Sequence, residues 1–283
     1  MKSRLITFVA LPSLGTLVLL VFMPLLFVLL LSFAHREPNG TVEWILSLAN
    51  YRRALDPVYL TIYLRSVMLA LLTTLLTLVI SFPVAYFIAL QSSALRKNLL
   101  VFLVTLPFWS SFLIRTYTWI IILRAEGLVT RGLMAIGLIH EPVSLLYTPF
   151  AVLVGLVYTE LPFMILPLYS VLEKIEKSLL DASADLGSSH WKTFWRVLMP
   201  LSRSGISAGV ILVFIPSLGA FITPDLLGGA KSLMVGNLIQ SQFAVIRDHP
   251  FGAANAALLT LLVIGVVIFR HQSSKQSAEV RLF

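Results

Sequence analysis

Glu160 is the one acidic residue in the apolar stretch 142–172, beside Pro162 and ahead of Pro167. An ionisable side chain within such a run is costly and ordinarily faces a bundle interior or a water-filled path. Three readings fit it. It can pair with a cationic amine, it can pair with a structural cation such as Arg115 in the preceding stretch, or desolvation can hold it protonated. Arg115 would repel a cationic solute, so it suits snorkelling to an interface or holding a carboxylate. Trp109, Tyr117 and Trp119 nearby suit an interfacial aromatic belt, or else cation–π contacts along a pathway. Asp225 follows Pro224 and is either a solvated turn residue or a cation-attracting group at a pathway mouth, with Phe221 one turn below it. The candidate substrate path is Glu160, Asp225, Phe221, Trp109 and Tyr117.

Other chemistry is missing from the chain. There is no Gly-x-x-x-x-Gly-Lys-Ser/Thr loop, so any ATP must be bound by another protein. The five histidines are scattered with no His-Glu-x-x-His pair, and no serine sits in a Gly-x-Ser-x-Gly elbow. With no cysteine, disulfides, iron–sulfur clusters and thiolate zinc sites are excluded. No catalytic, cofactor-binding or metal-binding residue is assigned, and the chain is not expected to be an enzyme.

The elements that must carry these residues follow from composition. Hydrophobic residues make up 58% of the 283 and charged residues 12%, against about 45–50% and about 25% in a soluble domain. A polytopic membrane protein fits, and a soluble, disordered or collagen-like chain does not. The net charge of +8 is ascribed to basic loops that hold a topology rather than to nucleic-acid binding. A crossing needs about 20 apolar residues. Residues 5–34, 66–95, 98–123, 142–172, 204–224 and 249–269 meet that length, and none shows the alternation of a membrane strand. The expected fold is an all-α integral membrane protein with six transmembrane helices. The first stretch is too long for a signal peptide and lacks a small-x-small cleavage site, so it is read as a retained helix. Residues 232–246 are uncharged but short, and are read as a re-entrant or interfacial segment.

Six crossings place both termini on one side. More than half of the 21 Lys and Arg lie in the termini, the 96–97 connection and the 173–203 loop, which places both termini in the cytoplasm. The loops 35–61, 124–146 and 225–250 then lie outside, the second with room for a short helix along the membrane surface. Their acids, Glu37, Glu43, Asp56, Glu126, Glu141, Asp225 and Asp248, are outnumbered by basic groups, Arg115 included. These loops therefore offer no electrostatic pull on a polycation, and a separate binding protein would remove the need for one.

The 173–203 loop is the largest element expected on the inner side. Ile175, Leu179, Ala182 and Leu186 recur at helical spacing with charged residues between them. Gly187 breaks the pattern, and Ser188 or Ser189 can cap a second short helix carrying Trp191, Phe194 and Trp195. An amphipathic helix lying on lipid is one reading. Docking to a cytoplasmic partner is the other, and it fits better the acidic opening Glu173, Glu176, Asp181 and Asp185, which anionic lipid repels.

Residues 181–200 resemble the signature of binding-protein-dependent ABC importer permeases: Glu-Ala-Ala, three residues, Gly, nine residues, Ile-x-Leu-Pro. This chain has Asp181-Ala182-Ser183, Gly187 and Val197-Leu198-Met199-Pro200 at the same spacing, with four substitutions conservative in size or charge. Segments such as Pro107-Phe108-Trp109, Leu113-Ile114-Arg115-Thr116-Tyr117, Leu161-Pro162-Phe163-Met164, the run 225–231 and Arg247-Asp248-His249-Pro250-Phe251-Gly252 look like those of spermidine/putrescine permease subunits. The resemblance spans nearly the whole chain. It implies a cytoplasmic coupling helix between helices 4 and 5, with Asp181, Ala182, Ser183, Gly187 and Pro200 in the coupling loop. It implies residues 1–61 as an N-terminal transmembrane helix with the first outer loop, 62–270 as a permease core of five helices with coupling loop 173–200, and 271–283 as a cytoplasmic tail. It also implies a bacterial inner-membrane protein that forms half of a pathway for polyamines. Its partners would be a second permease subunit, a dimer of cytoplasmic ABC ATPase holding ATP and Mg, and a periplasmic substrate-binding protein. A permease for another small solute, or an ion-coupled secondary carrier, are the rival readings.

Overall fold

The computed structural model describes the backbone of residues 2–37 and 39–279. The side chains of Lys2, Arg4 and Lys275, and Arg281 as a whole, lie outside the described residues.

The chain runs α1 (Lys2–Ser32), an antiparallel pair β1 (His35–Arg36) with β2 (Val42–Glu43), α2 (Ala49–Ala54), α3 (Pro57–Ala89), α4 (Ala94–Thr105), α5 (Phe112–Leu123), α6 (Leu128–Ala135), α7 (Pro149–Leu172), α8 (Lys177–Asp185), α9 (His190–Thr193), α10 (Met199–Leu201), α11 (Arg203–Leu218), α12 (Val235–Ser241) and α13 (His249–Glu279). The two-residue strands are the one departure from an all-α fold among the described residues. On length and composition four helices can cross a membrane: Gly15–Ser32, Pro57–Ala89, Pro149–Leu172 and His249–Ile268. Two bent pairs, Ala94–Trp109 with Phe112–Ala135 at 90° and His190–Leu201 with Arg203–Leu218 at 68°, raise the number to six if each is one span.

Local chemistry explains where the helices depart from the expected stretches. The second begins at Pro57 rather than at residue 66, because Asp56 accepts from the Val58 amide at 3.0 Å and proline suits the first helical turn. Arg65 had ended the apolar stretch without ending the helix. The expected continuous span 98–123 is broken. Pro107 cannot donate within the helix, the turn tightens over Leu106–Trp109, and Ser110 and Ser111 are extended. The fifth stretch stops at Leu218, two residues past Pro216, with Gly219 as its cap. Residues 232–246 form the short helix α12 and a wide turn Gln242–Ile246. Val235, Asn237, Leu238 and Gln242 are buried, while Val245 and Ile246 are exposed, so the first half of this segment is packed into protein.

The helices group into two compact units, residues 63–234 and residues 1–62 with 235–283. In the first, α11 lies against α7. A side chain on Gly205 would meet the Pro167 carbonyl at 2.9 Å and Leu168 Cα at 3.2 Å, and one on Gly209 would run into Met164 Sδ. These glycines form a Gly-x-x-x-Gly stripe that lets two helix backbones approach. One core of the unit joins Phe82, Ala85, Ile88, Met164, Leu168 and Val213. A second joins Leu69, Leu123, Val152, Leu156 and Leu227.

In the second unit α1 packs along α13, with Leu31, Ala34 and Ala253 at its core. Asn50 caps the end of α1 by donating to the Ser32 and Ala34 carbonyls at 3.1 and 2.8 Å. Asp248, counted among the acids of the outer loops, is buried and accepts from Arg53 at 2.8 Å. Its second oxygen accepts from the Phe251 amide in the first turn of α13.

Candidate functional site

Glu160 lies in the middle of α7 and is 6% exposed. Its Oε2 is buried with no hydrogen-bond partner. It faces a cavity of about 210 Å³ whose walls are Phe112 from α5, Leu156, Thr159 and Glu160 from α7, Pro216 from α11, and residues 219–223 that follow it. Each wall has a local cause. Phe112 is the first residue after the break in the α4–α5 pair. Pro216 has no amide to offer the Leu212 carbonyl and so weakens the last turn of α11. Residues 219–223 leave the helix at its carbonyl end, which carries partial negative charge. Thr159 donates to the Gly155 carbonyl at 2.9 Å, so its proton is used within α7.

The cavity brings together two of the five expected path residues, Glu160 and Phe221. Trp109, at 82% exposed, and Tyr117, at 54%, do not line it. Asp225 is exposed in the wide turn Pro224–Gly228, its amide donating to the Phe221 carbonyl at 3.0 Å. Arg115 forms no ion pair with Glu160. Its guanidinium carbon is 5.9 Å from the centre of the Phe112 ring, and Nε and one terminal nitrogen are buried without a partner. Phe112, Thr159 and Thr223 escaped the sequence reading, because nothing local marks residues that meet only in the folded unit. The Gly205–Gly209 spacing was a readable signal for close helix packing.

The 173–203 loop is built as its sequence suggests. Asp181, Ala182 and Ser183 lie in α8, and Gly187 follows at φ +76. The Gly187 amide donates to Ala184 O and the Ser188 amide to Ser183 O, closing the helix end. The Ser189 hydroxyl accepts from the Lys192 amide at the start of α9. Ser183 is buried and its hydroxyl meets that of Thr193 at 2.9 Å, so the two helices are tied. Pro200 is half-buried in α10. The outer surface carries Asp181 and Asp185 with exposed Leu186, Trp191 and Trp195. At its base Lys97 donates to Glu173 at 3.0 Å and Lys177 to the Leu90 carbonyl at 3.5 Å. The hydrogen bond from Lys97, and then that from Tyr169, hold the Glu173 carboxyl below its usual range. The loop is thus a tethered knob whose exposed groups are acidic, basic and aromatic. Among the described residues no three His, Cys, Asp or Glu converge as metal ligands.

Comparison with known proteins agrees with this geometry. Residues 81–273 match the family described as binding-protein-dependent transport system inner membrane component. The spermidine/putrescine transport system permease protein PotB of Escherichia coli (strain K12) is 45% identical over 254 residues, covering 90% of this chain and 92% of that protein. The PotB protein of Haemophilus influenzae (strain ATCC 51907 / DSM 11121 / KW20 / Rd) is 39% identical, covering 92% and 90%. A crystal structure of a bacterial ABC transporter that imports the acidic polysaccharide alginate shares the fold, with TM-score 0.70 at 17% identity, covering 97% of this chain and 96% of that one.

Proposed function

The chain belongs to the binding-protein-dependent transport system inner membrane component family, and from that membership we propose that it is a permease subunit of an ATP-driven importer of polyamines such as spermidine and putrescine. The observation that carries the cargo is the 45% identity to a spermidine/putrescine permease across 90% of the chain. The loop geometry supports the coupling role. Residues 173–200, with Asp181, Ala182, Ser183, Gly187 and Pro200, dock into a cytoplasmic ATPase, and the five-helix core 62–270 forms half of the pathway with a second permease subunit. A periplasmic binding protein delivers the polyamine, which accounts for outer loops with no acidic surplus. ATP and Mg belong to the ATPase dimer. Six crossings with the bent pairs counted as spans, and both termini in the cytoplasm, complete this reading.

The test is to tag the chain, extract it in mild detergent, identify what co-purifies, and measure uptake of labelled spermidine and putrescine by the reconstituted assembly. The expected result is a second permease with two copies of an ATPase, and uptake that requires ATP. A lone chain that moves solute without ATP would overturn the importer in favour of an ion-coupled carrier. ATP-driven uptake of another small solute, with polyamines left behind, would overturn the cargo.

A further inference from the structure

Glu160 lines this cavity, and its buried Oε2 has no hydrogen-bond partner among the described residues. A buried charge without a partner is strongly unfavourable, and such a group in a membrane helix is retained where a ligand or path uses it. Its surroundings select the ligand. Phe112 and Phe221 offer aromatic faces, and the carbonyl end of α11 adds partial negative charge. The one formal charge in the lining is the Glu160 carboxylate, and it favours a cation. A calcium ion takes six to eight oxygen ligands, several of them ordinarily from protein, whereas this lining carries a single carboxylate. An ammonium group needs only a few acceptors and is well matched by ring faces.

We propose that the Glu160 cavity is an ammonium-binding subsite that receives one terminal amine of a linear polyamine, with Glu160 as its counter-ion and Phe112 and Phe221 as its aromatic walls. The assignment rests on the importer reading and adds to it a place and a chemistry. The volume of about 210 Å³ is below the ~300–1,000 Å³ of a pocket that encloses a whole drug-sized ligand, so the subsite grips one end while the rest of the chain extends beyond. Arg115, set against the Phe112 ring rather than in the cavity lining, leaves the cavity to the incoming cation.

The experiment uses the assembled importer in detergent without binding protein, and measures equilibrium binding of radiolabelled spermidine. Glu160→Gln keeps shape and hydrogen-bonding capacity but removes the charge. Affinity is expected to fall on the order of tenfold or more, the scale of a lost hydrogen bond to a charged group. Glu160→Asp should recover part of it. Wild-type affinity in an assembled Glu160→Gln complex would overturn the subsite. A second measurement needs no variant. Spermidine should slow the reaction of Glu160 with a hydrophobic carbodiimide in the wild-type complex, read by mass spectrometry of its peptide. Equal labelling with and without spermidine would overturn the subsite as well. If the wild-type complex neither binds nor transports any polyamine, the polyamine reading itself fails. If it does both and the Glu160 tests fail, only the subsite is lost.

Discussion

Arg53 and Asp248, 195 residues apart in the chain, meet at 2.8 Å, and the same guanidinium lies 3.9 Å from the centre of the Phe251 ring. Asp248 is 7% exposed at its side chain and Arg53 46%. Burial acts to lower the Arg53 pKa, and the hydrogen bonds with Asp248 and Tyr59 outweigh it and raise the value. The pair therefore fastens α2 to the start of α13 within its unit.

Removing one partner should leave a buried charge alone. Arg53→Ala is expected to destabilise by about 2–3 kcal/mol, toward the low end for a buried pair because Arg53 is half in solvent. Thermal unfolding of the purified assembly checks this. The double variant Arg53→Ala with Asp248→Ala should lose less than the two single losses added, since the orphaned carboxylate is gone.

The two glycines of the α11 stripe should differ in tolerance. Gly205→Ala drives a methyl into the Pro167 carbonyl, which is backbone and cannot turn aside. A loss of about 1–3 kcal/mol is expected. Gly209→Ala meets the flexible end of Met164 and should be milder. Equal melting temperatures for the two variants would show that α7 and α11 are not held as closely as described.

Gly187 has open space around it, with nothing within 4 Å of an added Cβ. A bulky residue there meets no clash within the chain, and only the left-handed backbone opposes it, at about 1–2 kcal/mol. Gly187→Leu should therefore leave the assembly intact, yet reduce uptake at least tenfold while ATP hydrolysis continues. Normal coupled uptake in that variant would remove the docking role from the loop.

The Lys97–Glu173 bridge predicts a pH signature. The folded Glu173 pKa lies below its ordinary 4.5, so its contribution is present above that value and is lost as pH falls through the folded one. Its side chain is 40% exposed, which limits the contribution to about 1 kcal/mol at most. Comparing the melting temperatures of wild type and Glu173→Gln across pH should show a small gap at neutrality that closes in acid.

What the sequence revealed divides along the range of the interactions. The 173–203 loop could be read almost residue by residue, because a Ser189 cap, a left-handed Gly187 and helical spacing are local devices. The 110–111 break was locally encoded too, by Pro107 and paired serines, but uninterrupted apolarity masked it. The burial and pairing of Asp248 could not be read, because its partner Arg53 is distant in sequence. Glu160 announced its own cost, while the phenylalanines around it come from segments that no spacing rule brings together.

The contact of Gly205 and Gly209 with α7 bears on how the Glu160 cavity is bounded. Two of its walls, Leu156–Thr159–Glu160 and Pro216, stand on helices whose backbones approach closely at these glycines. The third, Phe112, hangs directly on the joint where the chain turns through 90°. Residues 219–223 complete the lining beyond the end of α11. The cavity is thus bounded on one side by a closely packed helix pair and on the other by two places where a helix is interrupted, at Ser110 and Ser111 and after Leu218.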